Sequence, residues 1–124
     1  MKQCDPAERR AIGTRLMGEI IDQQPPAKPT LLEETIRDYS FAEIWSRPGL
    51  DRRSRRWIAL SGCAATGMVE PLEEYVHGAL KSGDITLAEL REGVLHFAVY
   101  SGWPLGRQYD KIVTRVADRL GLSA

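Results

Sequence analysis

Apolar residues recur three and four positions apart along most of the chain, and helix start and stop residues bracket each such stretch. Ile12, Leu16 and Ile20 form one stripe. Before it stands Asp5-Pro6-Ala7-Glu8, which supplies an N-cap, a proline for the first helical position and a glutamate to close a capping box. Gln23-Gln24-Pro25-Pro26-Ala27-Lys28-Pro29 stops that helix and predicts a stiff connector over residues 23–29. Thr30-Leu31-Leu32-Glu33 is a second capping box. Its helix is expected to end or bend before Tyr39, with a further turn carrying Phe41, Ile44 and Trp45. Arg47-Pro48-Gly49-Leu50 reads as a turn, and Asp51 as the cap of a helix through Ala65, with Gly67 past its end. Glu70-Pro71 starts the next helix and Gly83 ends it. Thr86-Leu87-Ala88-Glu89 caps another that runs to Tyr100. Ser101-Gly102-Trp103-Pro104 breaks it and starts a last helix, which Gly121 stops. No segment alternates as a strand would. The pattern predicts an all-α protein of about six helices, a single domain over residues 1–124 without internal repeats.

Composition narrows the functional classes. The 124 residues are 43% apolar and 27% charged, ordinary for a globular chain long enough to bury a core. Seventeen basic residues balance seventeen acidic ones, so no general field draws the chain to nucleic acid or to anionic membranes, and neither is an expected partner. No apolar run approaches the roughly 18 residues of a membrane span. The stretch from Met1 to Pro6 lacks a signal peptide's apolar core, which makes the cytoplasm the expected compartment. Cys4 and Cys63 are far apart and form no CxxC, so a structural disulfide is not expected there. Cys63, in an apolar helix, reads as a small core residue. There is no GxGxxG, no P-loop and no HExxH, and the histidines and cysteines show no metal-ligand spacing.

The segment Trp45-Ser46-Arg47-Pro48-Gly49-Leu50-Asp51-Arg52-Arg53-Ser54-Arg55 resembles the W-x-R-P-G-L-D-x-R-x-R opening of the carboxymuconolactone decarboxylase family. Gly83, Glu89, Glu92, Tyr100, Gly102 and Pro104 fall at or near that family's G…E-I-x-E…Y-x-G-x-P spacing, with Asp84 as a one-residue insertion. The resemblance covers roughly the last two-thirds of the chain. It implies an all-helical fold related to alkyl hydroperoxidase D, assembly as homotrimers or homohexamers, and decarboxylation of a small unsaturated lactone in aromatic catabolism with no cofactor. Two departures stand out. The family's usual histidine, eight residues before the glycine, is here Tyr75, and a histidine follows two residues later as His77. Two residues on a helix are a rotation of about 200°, so the two side chains point apart. The CxxC of the redox relatives is replaced by Met68 and Pro71, which disfavours peroxidase chemistry.

Such a reaction needs cations to hold substrate carboxylates, a dry pocket, and an acid to protonate the carbanion left by CO2. Arginine suits the first task, because its planar fork matches a carboxylate. Arg47, Arg52, Arg53, Arg55 and Arg56 cluster around one turn and helix start. As a group they read as solvated surface or subunit contact. Arg55 is the preferred exception because it matches the family's second arginine, and Arg47 is a second substrate-binding candidate. His77 and His96 are the only histidines, and imidazole is the side chain that ordinarily titrates near neutral pH. His77 follows Glu73 by four and Glu74 by three, so a carboxylate can orient it. His96 lies four before Tyr100 on a more apolar helix. Tyr75 is a hydrogen-bond donor candidate. Trp45 and Tyr100 are candidate substrate walls, though tryptophans flanking turns, as Trp45 and Trp103 do, are more often core or interface. The leading expectation is a cofactor-free decarboxylase. The alternative is a non-catalytic helical oligomer that binds a small apolar acid.

Overall fold

The computed structural model describes residues 5–122, so the expectations for Cys4 and for the first four residues fall outside the described residues. Among the described residues every regular element is helical: α1 (Pro6–Ile21), α2 (Leu31–Thr35) continuing as a π-helix (Ile36–Ile44), α3 (Arg52–Ala65), α4 (Val69–Ser82), α5 (Leu87–Ser101) and α6 (Trp103–Arg119). They form two compact units, one through Arg52 and one from Arg53 onward.

In the first unit the Asp5 carboxylate accepts the N–H groups of Ala7 and Glu8 at 3.1 and 3.3 Å, and Pro6 takes the first helical position. Thr30 and Glu33 form the reciprocal capping box, each side chain accepting the other's backbone N–H. The α-helix ends before Tyr39 as expected, at Thr35, but the chain does not break there. No glycine or proline stands between Thr30 and Arg47 to stop the chain, and it stays helical by widening. Trp45 N–H reaches the Ser40 carbonyl, five residues back, at 3.1 Å. Gly13 lets α1 approach this π-helix closely, since a Cβ there would stand 2.0 Å from the Arg37 carbonyl oxygen. Arg37 is buried and forks onto Asp38 at 2.6 and 3.0 Å.

In the second unit, buried Leu60, Leu72, Val76, Leu90, Val94, Tyr109, Ile112 and Val116 form one core drawn from all four helices. Helices α5 and α6 pack closely where Gly106 faces Ala98, because a Cβ on Gly106 would lie 2.4 Å from the alanine methyl. Gly83 closes α4 at φ +79°, a left-handed conformation that a side chain would strain. Thr86 and Glu89 then cap α5 reciprocally at 3.0 and 3.1 Å. Arg56 departs from the solvated surface expected of its cluster. It is only 1% exposed, and its Nε donates to the Asp84 carboxylate at 2.8 Å. Asp84 thus supplies a counter-charge to a buried guanidinium, which would otherwise be costly to desolvate.

Candidate active site

Helices α3 and α5 run side by side in the same direction, offset by a constant 36 residues: Arg53 is ion-paired with Glu89, and Trp57 sits against Gly93. The space between them is an open groove of about 1120 Å³. Its α3 wall carries Arg53, Trp57, Ser61 and Ala65, one per turn, and the α5 wall includes Glu92, His96 and Tyr100 at the same spacing. On α3 the large Trp57 is followed along the wall by two small residues, Ser61 and Ala65. Phe97 forms part of the floor and is backed edge-on by buried Tyr109, with ring centres 5.5 Å apart.

One end of the groove is charged. Glu89 holds Arg53 with one carboxylate oxygen, while its other oxygen accepts the Thr86 N–H. The Thr86 backbone N–H, ahead of the Thr86 hydroxyl and the Arg53 guanidinium, keeps the Glu89 carboxyl below the usual carboxylate range. That carboxylate therefore fixes the start of α5 and the arginine together. Glu92 lies one turn on, exposed in the groove, and makes no ion pair among the described residues. Four residues further, the His96 ring is tilted against Tyr100 with centres 5.5 Å apart. Among the described residues no hydrogen bond occupies either nitrogen of His96. Ring nitrogens, a carboxylate and an arginine thus share one groove, which is the combination that binding an acid and moving a proton requires.

Of the residues singled out in the sequence, the groove takes in His96 and Tyr100. His77 stands on the α4–α6 surface, where an Arg119 N–H donates to its Nδ1 at 3.2 Å. Beside it Glu73 accepts from Arg115 at 2.9 Å and from Arg119 at 3.4 Å. Tyr75 is half-buried against the core near Cys63, and burial, followed by the Cys63 and Glu74 charges, pushes its hydroxyl up to about 12. Burial likewise pushes the Cys63 thiol up, away from thiolate chemistry. Arg55 is half-buried on α3, about 200° around the helix from Arg53, and does not line the groove. In the first unit, Trp45 is buried and stacked on Phe41, with ring centres 6.4 Å apart, and Arg47 is exposed in the turn after the π-helix.

The sequence reading did not single out Arg53, Trp57, Ser61 or Glu92 as site residues. Their signal was available: Arg53, Trp57 and Ser61 lie one turn apart, as do Glu92 and His96. Reading one helix at a time does not show that two such stripes face each other.

No protein-family model matches the chain. Over 72 residues, 58% of this chain and 50% of the relative, it is 38% identical to nitrosuccinic acid decarboxylase of Metarhizium robertsii. Over 88 residues, 71% of this chain and 65% of the relative, it is 30% identical to 4-carboxymuconolactone decarboxylase of Acinetobacter baylyi. The likeness to carboxymuconolactone decarboxylases seen in the sequence is borne out by curated relatives, one of them bearing that name. The chain spans between half and two-thirds of the length of these relatives.

Proposed function

We propose that this chain, with its likeness to two decarboxylases, removes CO2 from a small carboxylated acid in the α3–α5 groove, without an organic cofactor. The observation that carries the reading is the meeting of Arg53, Glu92 and His96 in that one groove. The compounds in the relatives' names share a chemical feature that fits it. Each has a carboxylate on a carbon next to an electron sink, an unsaturated lactone in one and a nitro group in the other. Each also has a second carboxylate. When CO2 leaves, the electron pair of the broken C–C bond moves into the sink, and a proton must return to the carbon framework.

In this reading Arg53 holds a substrate carboxylate, His96 delivers the proton, Glu92 orients the imidazole from one turn away, and Tyr100 packs against the ring. Placing guanidinium and imidazole in advance stabilises the developing charge without reorganisation. The preferred substrate is an unsaturated lactone acid or a related conjugated acid.

An open groove admits water, and water weakens each of these charge interactions. Leu95, Val99 and Tyr100 are exposed along its α5 side, at 57, 63 and 83%. Burying them in a homotrimer or homohexamer would dry the site. Sedimentation should give such a mass, and a concentration-independent monomer would overturn the assembly. The test of the activity is CO2 release from 4-carboxymuconolactone and from nitrosuccinate by purified protein. Release from at least one, surviving metal chelators and thiol blockers, is expected. A folded protein that releases CO2 from neither, at any concentration at which it assembles, would contradict the reading.

A further inference from the structure

Gly93 is the one position on the groove wall of α5 where a side chain would collide with the opposite helix. A Cβ there would lie 2.5 Å from Cζ3 and 2.7 Å from Cη2 of Trp57. Those are the outer carbons of the benzo ring, so the far edge of the indole is seated in a notch cut by the missing side chain. Trp57 is half-buried, packs against the core and also lines the groove. An indole gripped at its edge and backed by the core has little rotamer freedom, so it offers a surface in a fixed plane. That surface lies one turn from Arg53, which carries the charge, and one turn from the small Ser61.

We propose that Trp57, seated in the Gly93 notch, is a stacking platform that makes the groove prefer flat, conjugated carboxylic acids over flexible ones. The inference rests on the groove being the acid-binding site proposed above and deepens it by naming the selected shape. A flat unsaturated ring laid on the indole keeps its carboxylate toward Arg53 and its reacting carbon toward His96. A flexible acid can satisfy Arg53 but gains nothing from the ring. Trp57 touches the ligand, and Gly93 is a positioning residue that acts through Trp57.

Equilibrium binding separates this from the activity. Calorimetry would compare a flat probe, a carboxylated but-2-enolide, with a flexible one, succinate, in wild type, Trp57→Leu, Trp57→Phe and Gly93→Ala. Wild type should bind the flat acid more tightly than succinate. Trp57→Leu should lower flat-acid affinity by roughly three- to tenfold, the range expected for loss of one aromatic contact, and leave succinate unchanged. Gly93→Ala should do the same by displacing the indole, while Trp57→Phe should retain most of the preference. Circular dichroism checks folding, and Trp57→Phe together with Gly93→Ala decides the matter if Trp57→Leu unfolds. Equal weakening of both probes, an undiminished preference in Gly93→Ala and Trp57→Leu, or no preference in wild type would overturn the platform. A preference without CO2 release would leave the platform standing and reject the decarboxylase reading instead.

Discussion

The two histidines of this protein carry the same ring on neighbouring helices of one unit, yet their surroundings differ in kind. His77 sits among charges already matched to one another: Glu73 takes two arginines, and Arg119 donates onward to the His77 Nδ1. An arginine N–H can only donate, so that nitrogen is engaged as an acceptor. His96 has an aromatic neighbour on one side, a groove on the other, and Glu92 one turn away. The first arrangement ties two helices together at the surface. The second leaves an acid–base group facing space that a ligand can fill. The difference lies in partners and not in residue type, and a catalytic assignment follows the partners.

The sharpest way to break this contrast is His96→Gln beside His77→Gln. Loss of a general acid lowers kcat by about a hundredfold to ten-thousandfold, so His96→Gln should be crippled and His77→Gln should stay near wild type. Steady-state kinetics on the substrate that releases CO2 would read the two side by side. Reversed outcomes would move the site to the α4–α6 surface. A smaller effect is expected at the charged end. Arg53→Gln should raise KM by roughly 10- to 150-fold, as loss of a charge-assisted hydrogen bond of about 1.5–3 kcal/mol implies. Arg55→Gln should raise it far less. The opposite order would favour the arginine matched by family resemblance over the one in the groove.

How much of this was legible beforehand varies by level. Asp5, Thr30 and Thr86 cap the helices they were read to cap, and Gly83 ends α4 in the left-handed region, because these signals are local and act through a few backbone groups. The π-helix was missed, since Phe41 and Trp45 satisfy a helical stripe whether hydrogen bonds run four or five residues back. Arg56 was read as surface because its neighbours are basic. Its burial depends on Asp84, 28 residues away in sequence. Trp57 passed unnoticed for the same reason, as its notch at Gly93 is a tertiary fact.

Two stability measurements sharpen the contrast further. Thr86→Ala removes the hydroxyl that caps α5 while keeping the backbone N–H that holds the Glu89 carboxylate, and should cost about 1 kcal/mol in urea unfolding. It should raise KM only slightly, because a frayed start of α5 loosens Glu89 and with it Arg53 without breaking either bond, whereas a change confined to the His77 network should leave KM alone. The smallest effect belongs to Glu73→Gln. The Arg115 guanidinium, opposed by partial burial and helped by Arg119, holds the Glu73 carboxyl below its ordinary value of 4.5. A carboxyl lowered on folding stabilises the protein above its unfolded value, and that increment fades as pH falls through the folded one. Glu73→Gln should therefore cost a few tenths of a kcal/mol near neutral pH, given the exposure of the pair, and the gap to wild type should close in acid. A gap that widens in acid would mean the network is wired differently.

The most direct test of the central claim, that the groove at His96 is where an acid substrate binds, follows the two imidazole Cε1–H signals by NMR during titration with a carboxylated but-2-enolide. The His96 signal should move and saturate with the binding curve, the His77 signal should hold still, and the His96 response should weaken in Arg53→Gln. Movement of the His77 signal while that of His96 stays fixed would contradict the account.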